Sequence, residues 1–481
     1  MGGCAVLAVA LATHALVGLK MGMTAPLESD AHYYLQAAAS LAGGQGYRIP
    51  DTFWPDAPAM SRSPGWPFAM SLALRALPAA TPDAVGRGLC LLVNALAALA
   101  VFLLARRLFD GLGVALLAGL GYAVHPVGLY LAYDGDSEPL FVLLLLGGVL
   151  LLLGRAENDV DAVIETSGSS AATGPRSDGS GEGNIEQRTS NAQHRTGRLS
   201  RRSTFSIRCW MFDVQASQTE CRMSGVASTL SGYSLLGLAC LVRPNFLFWI
   251  AFVAALLAIR RWKRVAPEPG LRLAGVLIGA CLFLAPSLWW AARNHRVTGH
   301  FPVLSTLRGQ TLYGGNNEVV ANDFKYWGYW VFPNAIPGEK PMAELAQTMT
   351  EHEVDAYYYR KGVQYVREHL GSMPWLWLGK LVRAYVPIPW KVTVESGLAS
   401  AYRWCLYLAA AMGLFLLWKT VDGVYRLILC AMLLTNAATI LMFWGCARFS
   451  FPLDPFLLPF AAAAVLRVRL IRTPLRPGVQ L

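Results

Sequence analysis

Apolar residues along this chain come in runs of roughly 15 to 25, separated by short polar stretches, without the period-2 alternation of a barrel strand. A helix needs about 20 residues to cross the hydrocarbon, and lipid admits only helices or closed barrels. The pattern therefore predicts an all-α polytopic membrane protein. Ten spans are expected, over residues 3–22, 84–108, 112–130, 138–154, 226–242, 245–259, 271–292, 400–418, 424–443 and 454–468. Residues 374–391 hold Lys380, Arg383 and three prolines, which suits an interfacial helix better than an eleventh span.

The polar stretches set the orientation. Arg106–Arg107, "RRWKR" at 260–264, Lys419, Arg426 and the tail "RVRLIRTPLR" all fall on one side, which the positive-inside rule makes cytoplasmic. Both termini then lie inside. Residues 23–83 and 293–399 face outward, and "EHEVDAYYYRKGVQYVREHL" (351–370) is expected to form a surface helix. The chain divides into an N-terminal transmembrane module (1–154) with the first outer loop, and an inside insertion (155–225). Central spans (226–292), an outer loop region (293–399) and C-terminal spans with a basic tail (400–481) follow. The insertion is Ser, Gly, Thr and Arg with little to bury, so it is expected to be disordered and to carry no catalytic role.

Composition sharpens this in three places. Hydrophobic residues make up 54% of the chain and charged ones 15%, against about 25% charged in soluble domains. The net charge of +11 reads as a topology signal; with no soluble basic domain, nucleic acid is not an expected partner. The first apolar run lacks a basic n-region and a good cleavage site, so it is read as a span. Nine scattered cysteines with no CxxC suggest packing residues, not a disulfide framework or zinc site.

Candidate chemistry collects on the outer face. In "SDAHYYLQAAASLAGGQG" Tyr33, Tyr34, Ala37, Ala38 and Leu41 recur at helical spacing, and the glycines end the helix. Asp30 stands at its start, where it either caps the helix or does chemistry. The outer-face charges near span ends are Asp30, Arg62, Asp134, Asp136, Glu138, Arg243, Arg293, Arg308, Arg448 and Asp454. Ionisable groups beside hydrocarbon are costly and tend to mark a site. Arginines suit a phosphate and a carboxylate suits removal of a hydroxyl proton. Pro244 interrupts a span beside Arg243 and frees backbone groups there. Asp136 and Glu138 are either helix-start acids or groups that orient an acceptor or hold a divalent cation. Arg293 and Arg448 either snorkel or touch substrate, and Asn316–Asn317 either form a turn or bind sugar hydroxyls. His125, before Pro126, reads as structural.

These residues sit in motifs that resemble bacterial family-39-type glycosyltransferases, relatives of protein mannosyltransferases and aminoarabinose transferases. "SDAHYYLQAAASLAGGQGY" followed by "SRSPGWPFAMSLALRALP" is similar to the family's first outer loop, matching Asp30, Tyr34, Gly44, Gly46, Tyr47 and Arg62 to Pro67. "SEPLF" (137–141), "GLACLVRPNFLF" (237–248), "WWAARNHRVTGHFPVLSTLRGQTLYGGNN" (289–317) and "ARFSFPLDPFLLP" (447–459) resemble further family segments in the same order. Two departures stand out: Ala31 replaces an acid found in many relatives, and Phe449 replaces the usual tyrosine.

The resemblance implies a GT-C glycosyltransferase fold of about 10–12 transmembrane helices, with the active site in outer-face loops. It implies sugar transfer from a polyprenyl-phosphate donor to an envelope lipid, glycan or protein, with inversion at the anomeric carbon. Asp30 would be the general base. Tyr34, Arg62, Asp136, Glu138, Arg243, Arg293, Asn316, Asn317 and Arg448 would contact substrate. No metal is assigned, although Glu138 suits a divalent cation. The protein is expected in a bacterial inner membrane with its site facing the periplasm. A transporter or lipid flippase is the alternative, and would show paired broken helices in two related halves. An inactive scaffold is a third reading.

Overall fold

The computed structural model describes residues 2–109, 111–169, 227–262, 270–301, 305–386 and 397–472, and these contain helices and no strand. The chain runs as α1 (Gly2–Met21), α2 (Ser29–Ala42), α3 (Gly65–Ala76), α4 (Pro82–Leu108), α5 (Leu112–Ala123), α6 (Pro126–Asp134) and α7 (Glu138–Ser169). After α8 (Ala227–Val242) come a 3-10 turn at Pro244–Leu247, α9 (Phe248–Trp262) and α10 (Gly270–Thr298). Between α10 and the last spans lie α11 (Arg308–Gly314), α12 (Glu318–Asn322), α13 (Met342–Leu345), α14 (Glu351–Glu368) and α15 (Met373–Tyr385). Helices α16 (Gly397–Leu417), α17 (Gly423–Met442), α18 (Ala447–Ser450) and α19 (Asp454–Arg472) complete the chain.

Five described segments are long and apolar enough to cross a membrane: α1, α4, α16, α17 and Ala447–Arg467. The α5–α6 pair, bent by 45°, makes a sixth. The expected spans at 138–154, 226–242 and 245–259 appear as shorter apolar helices, Glu138–Leu153, Ala227–Val242 and Pro244–Leu256. Pro244 is the physical reason for the break between the last two, since its ring removes a donor and clashes with the preceding turn. This is a multi-pass membrane protein. Its outward apolar residues agree, with Leu19 78% and Phe415 87% exposed, a pattern suited to lipid and not to water.

The helices divide into two units. In the larger, residues 1–150 and 230–481, α4 packs against α1 and α5, and α16 against α19. The α4 contact uses small residues, with Ala95, Ala97, Ala98 and Ala105 all fully buried, so the backbones approach closely. The smaller unit spans Leu151–Thr229, where the Ser228 hydroxyl donates to the Leu151 carbonyl at 2.8 Å. Here α7 continues to Ser169, past the expected limit at 154. The remainder of the 155–225 insertion lies outside the described residues.

The segment 305–386 meets the loop of residues 48–62. Helices α11 and α14 pack together over Tyr313, Val320, Val354, Tyr358 and Tyr365, and Thr350 with Glu353 forms a capping box that starts α14. The expected surface helix at 351–370 is thus present. It docks on the loop between α2 and α3 through Glu351, which accepts from the Met60 amide at 3.3 Å and the Thr306 hydroxyl at 2.5 Å. Trp54 Nε1 adds a bond to the Met349 carbonyl at 3.0 Å.

Candidate functional site

Five chain segments converge at one place: the start of α2, the loop ahead of α3, the turn into α7, the end of α8 and α18. The first is the turn into α2. Its N-cap is Glu28, which makes no side-chain cap bond, and Ser29 has φ 51°, a left-handed conformation unusual for a residue with a side chain. Asp30 follows in the first helical turn with its carboxylate directed at two guanidiniums. Arg62 Nη2 lies 3.0 Å from Oδ1, and Arg448 Nη1 lies 3.1 Å from Oδ2. Capping is not what the Asp30 side chain does.

Arg448 is the hub of the site. Besides Asp30 it reaches Asp136 Oδ1 through Nη2 at 3.0 Å, and Glu138 through both Nε and Nη2. Glu138, whose side chain is 0% exposed, also accepts from Arg243 Nη1 at 2.7 Å. The same Arg243 nitrogen lies 3.4 Å from the Ser137 hydroxyl. Three acids and three arginines therefore form one network.

Two glycines let the segments approach. Gly135 ends α6 at φ 84°, and a side chain there would strike Leu27 and meet Ala31, while Trp66 Nε1 donates to its carbonyl at 2.9 Å. Ala31 is fully buried at this contact. At Gly65 an added Cβ would lie 2.7 Å from Val242 and 2.8 Å from the Leu241 backbone. The Arg62 loop can thereby rest against the end of α8, next to Arg243.

The electrostatics follow from burial and pairing. Burial opposes ionisation of Asp30, but Arg62, Arg448 and Arg243 together outweigh it and hold its carboxyl below the usual aspartate range. For Asp136 the balance is reversed: burial lifts its carboxyl well above that range despite Arg448, and Glu138, Asp30 and Asp134 lift it further. Burial and the Asp30 carboxylate push the Tyr34 phenol up.

Arg243 also faces the other way. It lines a small pocket with Phe141, Leu145, Phe246 and Met432, alongside the polar side chains of Asn245, Thr435 and Asn436.

The remaining candidates are placed elsewhere. Arg293 stacks over Trp290 at 4.7 Å and donates to the Ala59 carbonyl at 3.3 Å, so it supports the loop that leads to Arg62. Asn316 and Asn317 are buried; Asn316 Nδ2 donates to the Leu312 and Met442 carbonyls, and Asn317 caps α12. Lys380 Nζ donates to Asn316 Oδ1 at 2.7 Å, and burial lowers this lysine to about 7. Arg308 pairs with Asp355, whereas Asp454 lies fully buried with His125, Arg403 and Tyr407. His125 also caps α6 by accepting from the Gly128 amide, a structural role as expected. No cluster of three or more metal-ligating side chains is present among the described residues.

Sequence reading missed Arg87. It is buried in α4 and donates to the Met23, Ala25 and Tyr133 carbonyls at 2.6, 2.7 and 2.8 Å, bracing both acid-bearing loops. A charge inside the span at 84–108 was the available signal. Glu351 was missed as well, because nothing local to it points toward residue 60.

No protein-family model matches the chain, and no curated protein matches it. Among solved structures it is similar to the archaeal oligosaccharyltransferase AglB from Archaeoglobus fulgidus in complex with an inhibitory peptide and a dolichol-phosphate. That alignment has a TM-score of 0.48 and 12% identity, covering 99% of this chain and 52% of the other. It is also similar to the Archaeoglobus fulgidus oligosaccharyltransferase tethered with an acceptor peptide, at TM-score 0.49 and 14% identity, covering 98% and 50%. The chain spans about half the length of these proteins. Likeness this distant assigns no chemistry, and the site's own geometry has to.

Proposed function

We infer that this protein is a membrane glycosyltransferase that moves a sugar from a polyprenyl-phosphate carrier to a hydroxyl of an envelope acceptor. The observation that carries this reading is the cluster of Arg62, Arg243 and Arg448 around Asp30, Asp136 and Glu138, with Arg243 also lining a pocket that has apolar walls on one side. In this reading the donor's phosphate sits at Arg243 and Arg448, with the start of its isoprenoid tail against Phe141 and Phe246. The family-39-type motifs fall on the same residues.

In this reading Asp30 takes the proton of the acceptor hydroxyl. The acceptor oxygen attacks the anomeric carbon, the bond from that carbon to the phosphate oxygen breaks, and the configuration inverts. The guanidiniums offset the charge that develops on the leaving phosphate. Two guanidiniums on Asp30 make it a weak base at rest. A phosphate that competes for Arg448 strengthens that base when donor is bound. Tyr34, buried behind Asp30, shapes the wall of the site. Asn316 and Asn317 hold the outer loop through their own amides. A site facing the periplasm across a bacterial inner membrane agrees with the distribution of basic residues.

The test is purified protein in detergent, offered either a polyprenyl-phosphate sugar or a nucleotide sugar. Turnover is expected with the lipid donor alone. Transfer from the nucleotide donor alone, or carrier translocation in vesicles without transfer, overturns the reading.

A further inference from the structure

With all six groups ionised, the charges of the site cancel. Asp30, Asp136 and Glu138 stand against Arg62, Arg243 and Arg448, and each guanidinium faces a carboxylate. A lipid-phosphate donor, the reading on which this inference rests, adds one negative charge to a site with no surplus positive charge. Buried charge without a partner is costly. The phosphate can therefore settle on the arginines only if a carboxylate is released and neutralised.

The contacts single out which one. Glu138 keeps Arg243 and Arg448 Nε even when Arg448 Nη2 is drawn away. Asp30 keeps Arg62, and its side chain is 37% exposed, so water helps to carry its charge. Asp136 is 4% exposed and held by Arg448 Nη2, so an anion that takes this nitrogen strands it. Its other neighbours do not compensate. Glu138 from α7, Asp30 from α2 and Asp134 from α6 are acids, and the Cys90 thiol from α4 bonds the Asp136 carbonyl, not its carboxyl. Arg87, also on α4, is turned to three backbone carbonyls.

We propose that donor phosphate enters this site together with one proton, taken from solvent onto the Asp136 carboxyl as Arg448 turns to the phosphate. No covalent bond other than that O–H forms, and the proton returns to solvent when the lipid phosphate leaves. Burial already biases Asp136 toward its neutral form. Linkage then fixes the sign: affinity is highest at low pH and falls as pH rises through the free-site titration of Asp136.

The probe is a polyprenyl methyl phosphodiester, a monoanion that cannot transfer a sugar. Its binding to the full chain in detergent is followed by calorimetry, in buffers of differing ionisation enthalpy between about pH 6 and 9. Wild type is expected to take up close to one proton per diester toward alkaline pH, with affinity falling by up to about tenfold per pH unit. Asp136→Asn should bind with a flat pH dependence and no uptake, and Asp134→Asn should retain the uptake. Wild-type binding without proton uptake overturns the proposal whether or not the variants fold. Undiminished uptake in Asp136→Asn overturns it too. No diester binding by wild type at any pH refutes the lipid-phosphate donor itself, and the proposal with it.

Discussion

Arg448 and Asp30 stand 418 positions apart in the chain and 3.1 Å apart in space. One guanidinium thereby ties the start of α2 to the start of the last span, and through Asp136 and Glu138 to α7. Loss of this side chain leaves two buried acids short of a partner. Arg448→Met is expected to destabilise the protein by about 3–5 kcal/mol, the usual consequence of breaking a buried pair from one side. Thermal unfolding in detergent measures this, and an unchanged midpoint would show that the network is not a structural tie.

Arg62 sets the acid limit of activity. Asp30 must be ionised to act, and its carboxyl is held below the ordinary aspartate range by Arg62, Arg448 and Arg243. The kcat/KM, which reports the donor-free protein, should therefore stay level as pH falls through the ordinary aspartate range and drop only below it. Removing one guanidinium raises the Asp30 pKa, so Arg62→Gln should move the acid limb upward. A pH–rate profile of each protein decides this, and coincident limbs count against the pairing.

Arg243 separates charge from geometry. Arg243→Lys keeps the charge but loses the planar fork, so its turnover should fall between that of wild type and Arg243→Ala. The alanine variant is expected to lose on the order of 30- to 1000-fold, about 2–4 kcal/mol of transition-state stabilisation. An unaffected Arg243→Ala enzyme would remove this residue from the reaction.

The parts of this site that were legible in the sequence are those fixed by local pattern. Helical spacing after Asp30, the glycine turn at 43–46 and the break at Pro244 all appear where expected, because each depends on residues within a few positions. Pairings between distant segments were not legible. As a sequence feature Arg448 is one more arginine at a span end, and only the fold shows that it touches three acids. The same holds for Asp454, which looked like a member of the outer cluster and instead lies with His125 and Arg403. Asn316 and Asn317 could be read as a turn or as a sugar-binding pair, and the close packing of their turn against the end of α17, which buries them, was not legible.

The 155–225 insertion offers a separate check on the division of the chain. Leu151–Thr229 forms its own unit, whereas the acid–arginine network lies entirely in the other. Excising 160–222, which includes the end of α7, should leave transfer activity within about twofold of the full chain, since a segment this polar in composition buries little apolar surface. Loss of activity in a deletion variant that still inserts would assign this segment a role in the reaction.

The most direct measurement is single-turnover transfer by Asp30→Asn with a polyprenyl-phosphate sugar, in protein shown to insert and to bind the donor. Asparagine has the same shape as aspartate and its carbonyl oxygen can still accept from Arg62 or Arg448, so the change removes the base while the side chain's size is kept. The transfer rate is expected to fall by roughly 10²–10⁴-fold with donor binding retained. A near-normal rate in the Asp30→Asn protein would contradict the assignment of Asp30 as the base.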